Sequence, residues 1–255
     1  MHNIFTDILY SVIPNKTYLT FGEGTTNLIL SAPHGGDIRP ISIPKRKSGT
    51  LLKDTYTRRL TEKLLNLFKS ENPFYIYADI HRSRVDLNRY VEKAINGNYR
   101  ANEIWLNWDE LLRDYTKKAK LYNDKVLYID IHSHNDSDKF ELGYDLSARN
   151  YINLFKNKKT RYKTTLDSLE KDKYEMLFGE GSIKATLERF WYKTLMPTGN
   201  EVYFNGGRNI EVYSGNNVGG IQIETPIYLL KEDLDKISKV LYNAINRFRD
   251  YFIKD

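Results

Sequence analysis

The 255-residue chain contains no cysteine. This absence excludes disulfide bonds, thiolate nucleophiles, cysteine-bound zinc and iron–sulfur clusters. Histidine is also scarce, with five residues in the whole chain. Any metal ion would therefore be held by a small number of histidines together with aspartate or glutamate.

Long apolar runs are missing as well. No stretch approaches the roughly 20 apolar residues that a membrane-spanning helix needs. The first 13 residues include Asp7 and lack the basic start of a signal peptide. We therefore expect a cytoplasmic protein that has no membrane partner.

The charge is moderately basic, with a formal net charge of +6. Basic residues are concentrated only at residues 45–47 and 156–163. We interpret both groups as solvated surface and do not expect a nucleic-acid partner, because nucleic-acid binding requires positive charge gathered on one face. The positive excess suits a small anionic substrate. The sequence leaves the oligomeric state open.

Short apolar runs alternate with helical patterns along the chain. We predict strands at residues 18–21, 27–32, 74–80, 126–131, 209–213 and 220–224, since each run is rich in β-branched and aromatic residues and bounded by turn residues. Apolar spacing predicts helices at residues 56–68, 102–118, 146–156, 182–194 and 234–252. This alternation indicates one α/β domain over residues 1–255, with a mainly parallel mixed β-sheet covered by helices on both faces.

Two of the predicted strands end in histidine-containing turns. His34 and Asp37 are three residues apart in a glycine-containing turn, a spacing that allows both to face one ion. His132 and His134 follow Asp130, and residues two apart at a strand end project to the same side. Asp130 could orient a metal-bound imidazole as an outer partner. A structural turn explains the first motif equally well.

Another strand end carries three arginines within eight residues: Arg82, Arg84 and Arg89. Guanidinium groups suit carboxylates and developing oxyanions, although a surface ion-pair network with Asp79 and Asp86 is the alternative. The last strand ends in Glu224, which is either buried with a partner or acts as an acid or base.

Together these segments resemble the N-formylglutamate amidohydrolase family, a branch of the zinc carboxypeptidase-like hydrolases. The resemblance covers most of the chain in the family's order. It is carried by residues 31–36, 84–89, 130–133, 206–207 and 222–224, and by Tyr228.

The resemblance implies a site with one zinc ion per chain. His34, Asp37 and His132 would bind the metal, with Asp37 standing where the wider superfamily has glutamate. Asn88 and Arg89 would bind a substrate carboxylate. We assign the general base to Glu224 and oxyanion stabilisation to Arg84, with Arg82 as the alternative at the oxyanion. Further substrate contacts are assigned to Arg82, His134 and Arg208.

The function that these features predict is zinc-dependent hydrolysis of the amide bond in a small N-acyl amino acid such as N-formylglutamate. A carboxypeptidase-type enzyme acting on peptides or γ-glutamyl chains is the alternative, because it needs the same groups. A metal-dependent phosphoesterase and a binding protein without activity also remain open. A TIM-barrel amidohydrolase is rejected, because its paired histidines lie on the first strand whereas His132 and His134 lie halfway along this chain.

Overall fold

The computed structural model describes residues 18–158, 161–198 and 203–254. Its centre is a six-stranded sheet in the order β1-β3-β2-β4-β6-β5. The strands are β1 (Leu19–Gly22), β2 (Leu28–Ala32), β3 (Phe74–Ala78), β4 (Val126–His134), β5 (Glu141–Gly143) and β6 (Val218–Pro226).

Parallel pairing joins the four inner strands β3, β2, β4 and β6, while β1 and β5 run antiparallel at the two edges. The carboxyl ends of the four inner strands therefore meet at one edge of the sheet, which is where α/β proteins place their ligands. The predicted fold class, a mainly parallel mixed sheet with helices on both faces, is confirmed.

Helices follow most strands. They are α1 (Thr57–Leu67), α2 (Val91–Ala94), α3 (Tyr99–Ala119), α4 (Ala148–Asn157), α5 (Lys173–Phe178), α6 (Ile183–Arg189), α7 (Arg208–Tyr213) and α8 (Ile227–Phe252). In the described ranges, none of them combines the length and the apolar character needed to cross a membrane.

The two faces of the sheet carry separate apolar cores. Helices α1, α4, α5, α6 and α8 pack on one face, and α2, α3 and α7 pack on the other. Alternate residues of the central strands enter each core: Leu127 and Ile129 of β4 point to the first, and Tyr128 to the second. Burial on both faces explains why these strands read as continuous apolar runs in the sequence.

One predicted strand is a helix. Residues 209–213 alternate apolar and polar side chains, but they lie in α7, where Ile210 and Tyr213 are buried three residues apart. This spacing fits a helical face, so the pattern was ambiguous. The backbone N–H of Asn209 donates to Oδ1 of Asn88 at 2.8 Å and so satisfies a free donor in the first turn of α7.

Candidate active site

Two imidazoles face each other at the carboxyl edge of the sheet. His34 lies two residues after β2 and His132 lies within β4. Their ring centroids are 4.9 Å apart and both side chains are almost fully buried. The pairing of β2 beside β4 explains this meeting, because Ser31 and Asp130 are register partners and the two histidines follow them.

Asp54 is the acid between the two imidazoles. Its Oδ2 atom lies 3.3 Å from Nδ1 of His34 and 2.8 Å from Nδ1 of His132. The candidate ligand atoms of the three residues all lie within 4.8 Å of one another. Asp54 comes from the long loop between β2 and α1, and its backbone N–H donates to the carbonyl oxygen of His34 at 3.1 Å.

Two further carboxylates contact the imidazoles on the side away from Asp54, one on each ring. Nε2 of His34 lies 2.7 Å from Oδ1 of Asp86, and Nε2 of His132 lies 3.1 Å from Oδ2 of Asp130. Each ring therefore has its Nε2 against one of these acids and its Nδ1 toward Asp54. Metal-binding histidines have this carboxylate partner in most proteins. The donor set of two imidazole nitrogens and one carboxylate fits a catalytic zinc ion, which keeps a fourth position open.

The structure does not bring Asp37 to this cluster, although the resemblance placed it beside the histidines. Its carboxylate is exposed and pairs with Lys53 at 2.5 Å. The turn after β2 is not helical, because Ile38 forms a parallel bridge with Ile80 and continues the sheet. The extended backbone separates Asp37 from His34, whereas a helical turn would have stacked them.

Glu224 faces the cluster from the neighbouring strand β6. Its Oε1 lies 3.9 Å from Nδ1 of His132 and accepts a hydrogen bond from Gln222 at 3.0 Å. Burial raises the pKa of Glu224 to about 8, against the opposing charge of His132 and with help from Asp54. This protonation range is typical of a group that moves protons near neutral pH.

The pKa values of the surrounding acids shift in the opposite direction. Burial acts to raise the pKa of Asp54, but the charge of His34 and hydrogen bonds from both imidazoles bring it far below its ordinary value. The pKa of Asp86 is lowered in the same way, with Arg82 and Arg46 adding to the effect of His34. These two carboxylates are therefore charged at neutral pH.

The three arginines of the β3 loop separate into different environments. Arg82 lines the cavity beside the cluster, where it pairs with Asp54 and Asp86, each at 3.1 Å. Arg89 also lines the cavity, and it has no acidic partner among the residues that the structure describes. Arg84 turns away and donates to the carbonyl oxygen of Ile43 at 2.8 Å. The structure therefore does not bring Arg84 to the site where the sequence placed it.

Asn88 is held by its neighbours. Besides receiving the N–H of Asn209, its amide nitrogen lies 3.4 Å from Oε1 of Gln222 and 3.3 Å from Nε2 of His132. Gly207 lies directly against this amide, and a Cβ there would come within 2.2 Å of it. Asn88 therefore forms part of the cavity wall in a fixed orientation.

The remaining predicted residues lie at the sides of the site. His134 lines the cavity, while its Nε2 lies 3.0 Å from the carbonyl oxygen of Lys139. Arg208 lies in an adjoining recess, where it pairs with Asp109 and stacks on Trp105 with the guanidinium carbon 4.5 Å from the ring centroid.

The cavity above the cluster has a volume of about 350 Å³ and is lined by His34, Asp54, Arg82, Arg89, His132 and Glu224, among other residues. It continues past Asn88, Arg89 and Gly206 into a recess of about 230 Å³. The candidate ligands, the candidate base and the unpaired guanidinium thus share one opening.

Comparison with known proteins shows where this architecture occurs. Neither a protein-family model nor a curated protein sequence matches the chain. Among solved structures, an N-formylglutamate amidohydrolase from Ralstonia eutropha JMP134 is similar over 92% of this chain and 98% of its own, with a TM-score of 0.61 and 14% identity. The chain has the fold of that amidohydrolase. A gene product of Agrobacterium tumefaciens is similar over 92% of this chain and 94% of its own, with a TM-score of 0.62 and 12% identity. The resemblance inferred from the sequence motifs is confirmed for the fold.

Asp54 is the site residue that sequence reasoning missed. It lies 20 residues from His34 in a loop with no periodic pattern, so neither spacing nor strand ends point to it. Asp86 was considered only as a surface ion-pair partner, yet it is 1% exposed and contacts His34. The neighbouring arginines were the one available signal, since buried guanidinium groups require buried acids.

Proposed function

We propose that this chain is a zinc-dependent hydrolase that cleaves the amide bond of an N-acyl amino acid. The observation that supports it most is the convergence of Nδ1 of His34, Nδ1 of His132 and the Asp54 carboxylate beside buried Glu224. The amidohydrolase fold agrees with this chemistry, although a fold alone does not define a reaction.

His34, Asp54 and His132 would hold the metal. A bound zinc ion lowers the pKa of a water molecule and polarises the scissile carbonyl. Asp86 and Asp130 keep the two imidazoles in the tautomer that leaves both Nδ1 atoms free to bind.

Glu224 would take one proton from the attacking water and transfer it to the leaving nitrogen. The water oxygen forms a bond to the acyl carbon and the carbon–nitrogen bond breaks. The second proton of the water passes from the new carboxyl group to the released amine, so the products are a carboxylate and an ammonium group. Arg82, which lies beside Asp54, would stabilise the oxyanion in place of Arg84.

Arg89 would bind the carboxylate of the amino acid. Its guanidinium group lines the cavity and has no acid to pair with in the described part of the chain. A planar guanidinium binds a carboxylate through two parallel hydrogen bonds, which fixes the amide over the metal cluster.

The first test measures metal and turnover separately. Purified protein supplied with zinc should contain about one zinc per chain by elemental analysis, and absence of bound zinc would contradict the proposed metal site. Glu224→Gln should keep the zinc and lose turnover by about 10²–10⁴-fold, because the water would lack its base. Glu232→Gln, an exposed change on α8, is the matched control.

The second test separates the carboxylate contact from general loss of activity. Arg89→Ala should reduce kcat/KM for N-acyl amino acids far more than for the corresponding neutral amides. Arg100→Ala, an exposed arginine on α3, should leave both unchanged. Equal losses on acids and neutral amides would contradict the role of Arg89.

A carboxypeptidase-type activity on peptides or γ-glutamyl chains is the second candidate. It needs the same metal, base and carboxylate contacts, and the cavity together with its adjoining recess leaves room for a substrate longer than an N-acyl amino acid. A panel of N-acyl amino acids, short peptides and γ-glutamyl peptides separates the two, because only the second candidate predicts faster hydrolysis as the peptide lengthens on the acyl side of the scissile bond.

A further inference from the structure

Three apolar side chains in the cavity have no part in the proposed chemistry: Leu52, Phe204 and Ile227. Leu52 is 80% exposed and lies two residues before Asp54. Phe204 and Ile227 are half-buried, and the Phe204 ring lies 5.7 Å from that of His134. A single exposed leucine is ordinary, but three apolar groups around one catalytic cavity form a surface that a ligand can cover.

Leu52, Phe204 and Ile227 come from other segments of the cavity wall than Arg89. Leu52 precedes α1 and Ile227 begins α8, and these two helices pack together on one face of the sheet. Arg89 instead shares its recess with Tyr90 and Arg208, which lie toward α7 on the opposite face. The two imidazoles lie between, at the ends of the central strands.

The substrate's own geometry matches this division. In an N-acyl amino acid the carboxylate belongs to the amine side of the scissile bond, and the acyl group extends from the other side of the carbonyl. With the carboxylate on Arg89 and the carbonyl over the His34–Asp54–His132 cluster, the acyl group would occupy the rest of the same cavity, whose apolar lining is Leu52, Phe204 and Ile227. A formyl group has no carbon beyond the carbonyl and would leave these side chains uncovered.

We propose that the preferred substrate carries an apolar acyl chain of several carbons, which packs on Leu52, Phe204 and Ile227. This inference rests on the proposed amide hydrolysis and specifies its substrate class. Each methylene that becomes buried should strengthen binding about fourfold, the factor that corresponds to ~0.8 kcal/mol per buried methylene.

The experiment measures binding first, because intrinsic amide reactivity differs between formyl and larger acyl groups. N-formyl-, N-acetyl-, N-butanoyl- and N-hexanoylglutamate are titrated calorimetrically into zinc-loaded Glu224→Gln protein, which should bind without turnover. We expect the Kd to fall by at least tenfold from acetyl to butanoyl. The same series, from acetyl upward, is then hydrolysed by the unaltered enzyme, and kcat/KM should rise in parallel.

Leu52→Ser tests the apolar surface directly. It should reduce the dependence on acyl length while leaving N-acetylglutamate nearly unaffected. Leu121→Ser is the matched control, because Leu121 is 82% exposed and lies after α3, outside the cavity. Phe204→Ala provides a second variant on the same surface.

The outcomes separate this inference from the proposed function. A Kd and kcat/KM that do not change with acyl length would overturn the inference while leaving amide hydrolysis intact. A dependence on acyl length retained in full by both Leu52→Ser and Phe204→Ala would overturn it too. Failure to hydrolyse any N-acyl amino acid would instead contradict the proposed function.

Discussion

Arg46 provides the sharpest test of how the site is assembled. It is 4% exposed and lies in the loop between β2 and α1 that carries Asp54. Its guanidinium group donates to the carbonyl oxygens of Ser48, Thr50, Arg82 and Lys93. It also pairs with Oδ2 of Asp86 at 3.2 Å. One side chain therefore joins this loop to the β3 loop and to the start of α2.

The cost of removing this guanidinium can be worked out from these contacts. Deleting one partner of a buried ion pair costs about 3–5 kcal/mol when the other charge is left uncompensated, and the cost is smaller here because Asp86 keeps Arg82 and His34. The carbonyl oxygens lose partners at roughly 1 kcal/mol each, although those near the surface regain water. We expect Arg46→Ala to lower the free energy of unfolding by about 4 kcal/mol, a large part of the ~5–15 kcal/mol of a typical domain.

Urea denaturation followed by circular dichroism measures this change, with exposed Lys47→Ala as the control. Arg46→Lys should lie between the two, because an ammonium group keeps the charge but cannot reach as many oxygens. Zinc affinity of the folded Arg46→Ala protein should fall as well, since the loop holding Asp54 loses its attachment. A loss of stability below about 1 kcal/mol, with unchanged zinc affinity, would refute the reasoning.

Three further predictions follow from the cluster and its surroundings. Asp54→Asn should abolish stoichiometric zinc binding whereas Asp37→Asn should not. Loss of zinc binding in both variants would contradict the assignment of the carboxylate ligand to Asp54 in place of Asp37. Asp130→Asn should weaken zinc binding about 10–100-fold in a chelator competition, and an unchanged Kd would argue against its role on His132. Burial, aided by nearby cations, lowers the pKa of His81 from 6.5 to about 4. The unfolded chain therefore binds the extra proton first and stability falls between pH 6.5 and 4; His81→Asn should reduce this fall in urea titrations, and identical pH profiles would exclude His81 as its source.

The sequence reveals the parts of the site that belong to the sheet. Apolar runs mark the strands, and parallel strands bring their carboxyl ends to one edge, so His34, His132 and Glu224 could be expected to meet there. Arg82 and Arg89 follow for the same reason, because their loop leaves β3. These predictions need only the local pattern of apolar residues that marks each strand and the polar residues that directly follow it.

The loop between β2 and α1 is different, because long-range contacts decide its shape. Nothing near Asp54 in the sequence indicates that it turns back onto His34; this depends on hydrogen bonds from Arg46 and on the ion pair with Arg82. Local spacing favoured Asp37 instead, and the bridge between Ile38 and Ile80 places it outside. Loop geometry set by tertiary contacts cannot be read from periodicity.

Charge balance within the cluster favours the divalent cation that we propose. The charged groups are four carboxylates and two guanidinium groups: Asp54, Asp86, Asp130 and Glu224, with Arg46 and Arg82. When all four carboxylates are ionised and both imidazoles are neutral, the cluster has an excess of two negative charges, which either a divalent ion or two protons can neutralise. Burial opposes protonation of His132, but Asp130 and Asp54 raise its pKa well above 6.5, and that of Glu224 is raised to about 8. Protons and zinc should therefore compete, so the zinc Kd should fall as the pH rises from 6 to 8. A Kd independent of pH over this range would mean that zinc binds elsewhere.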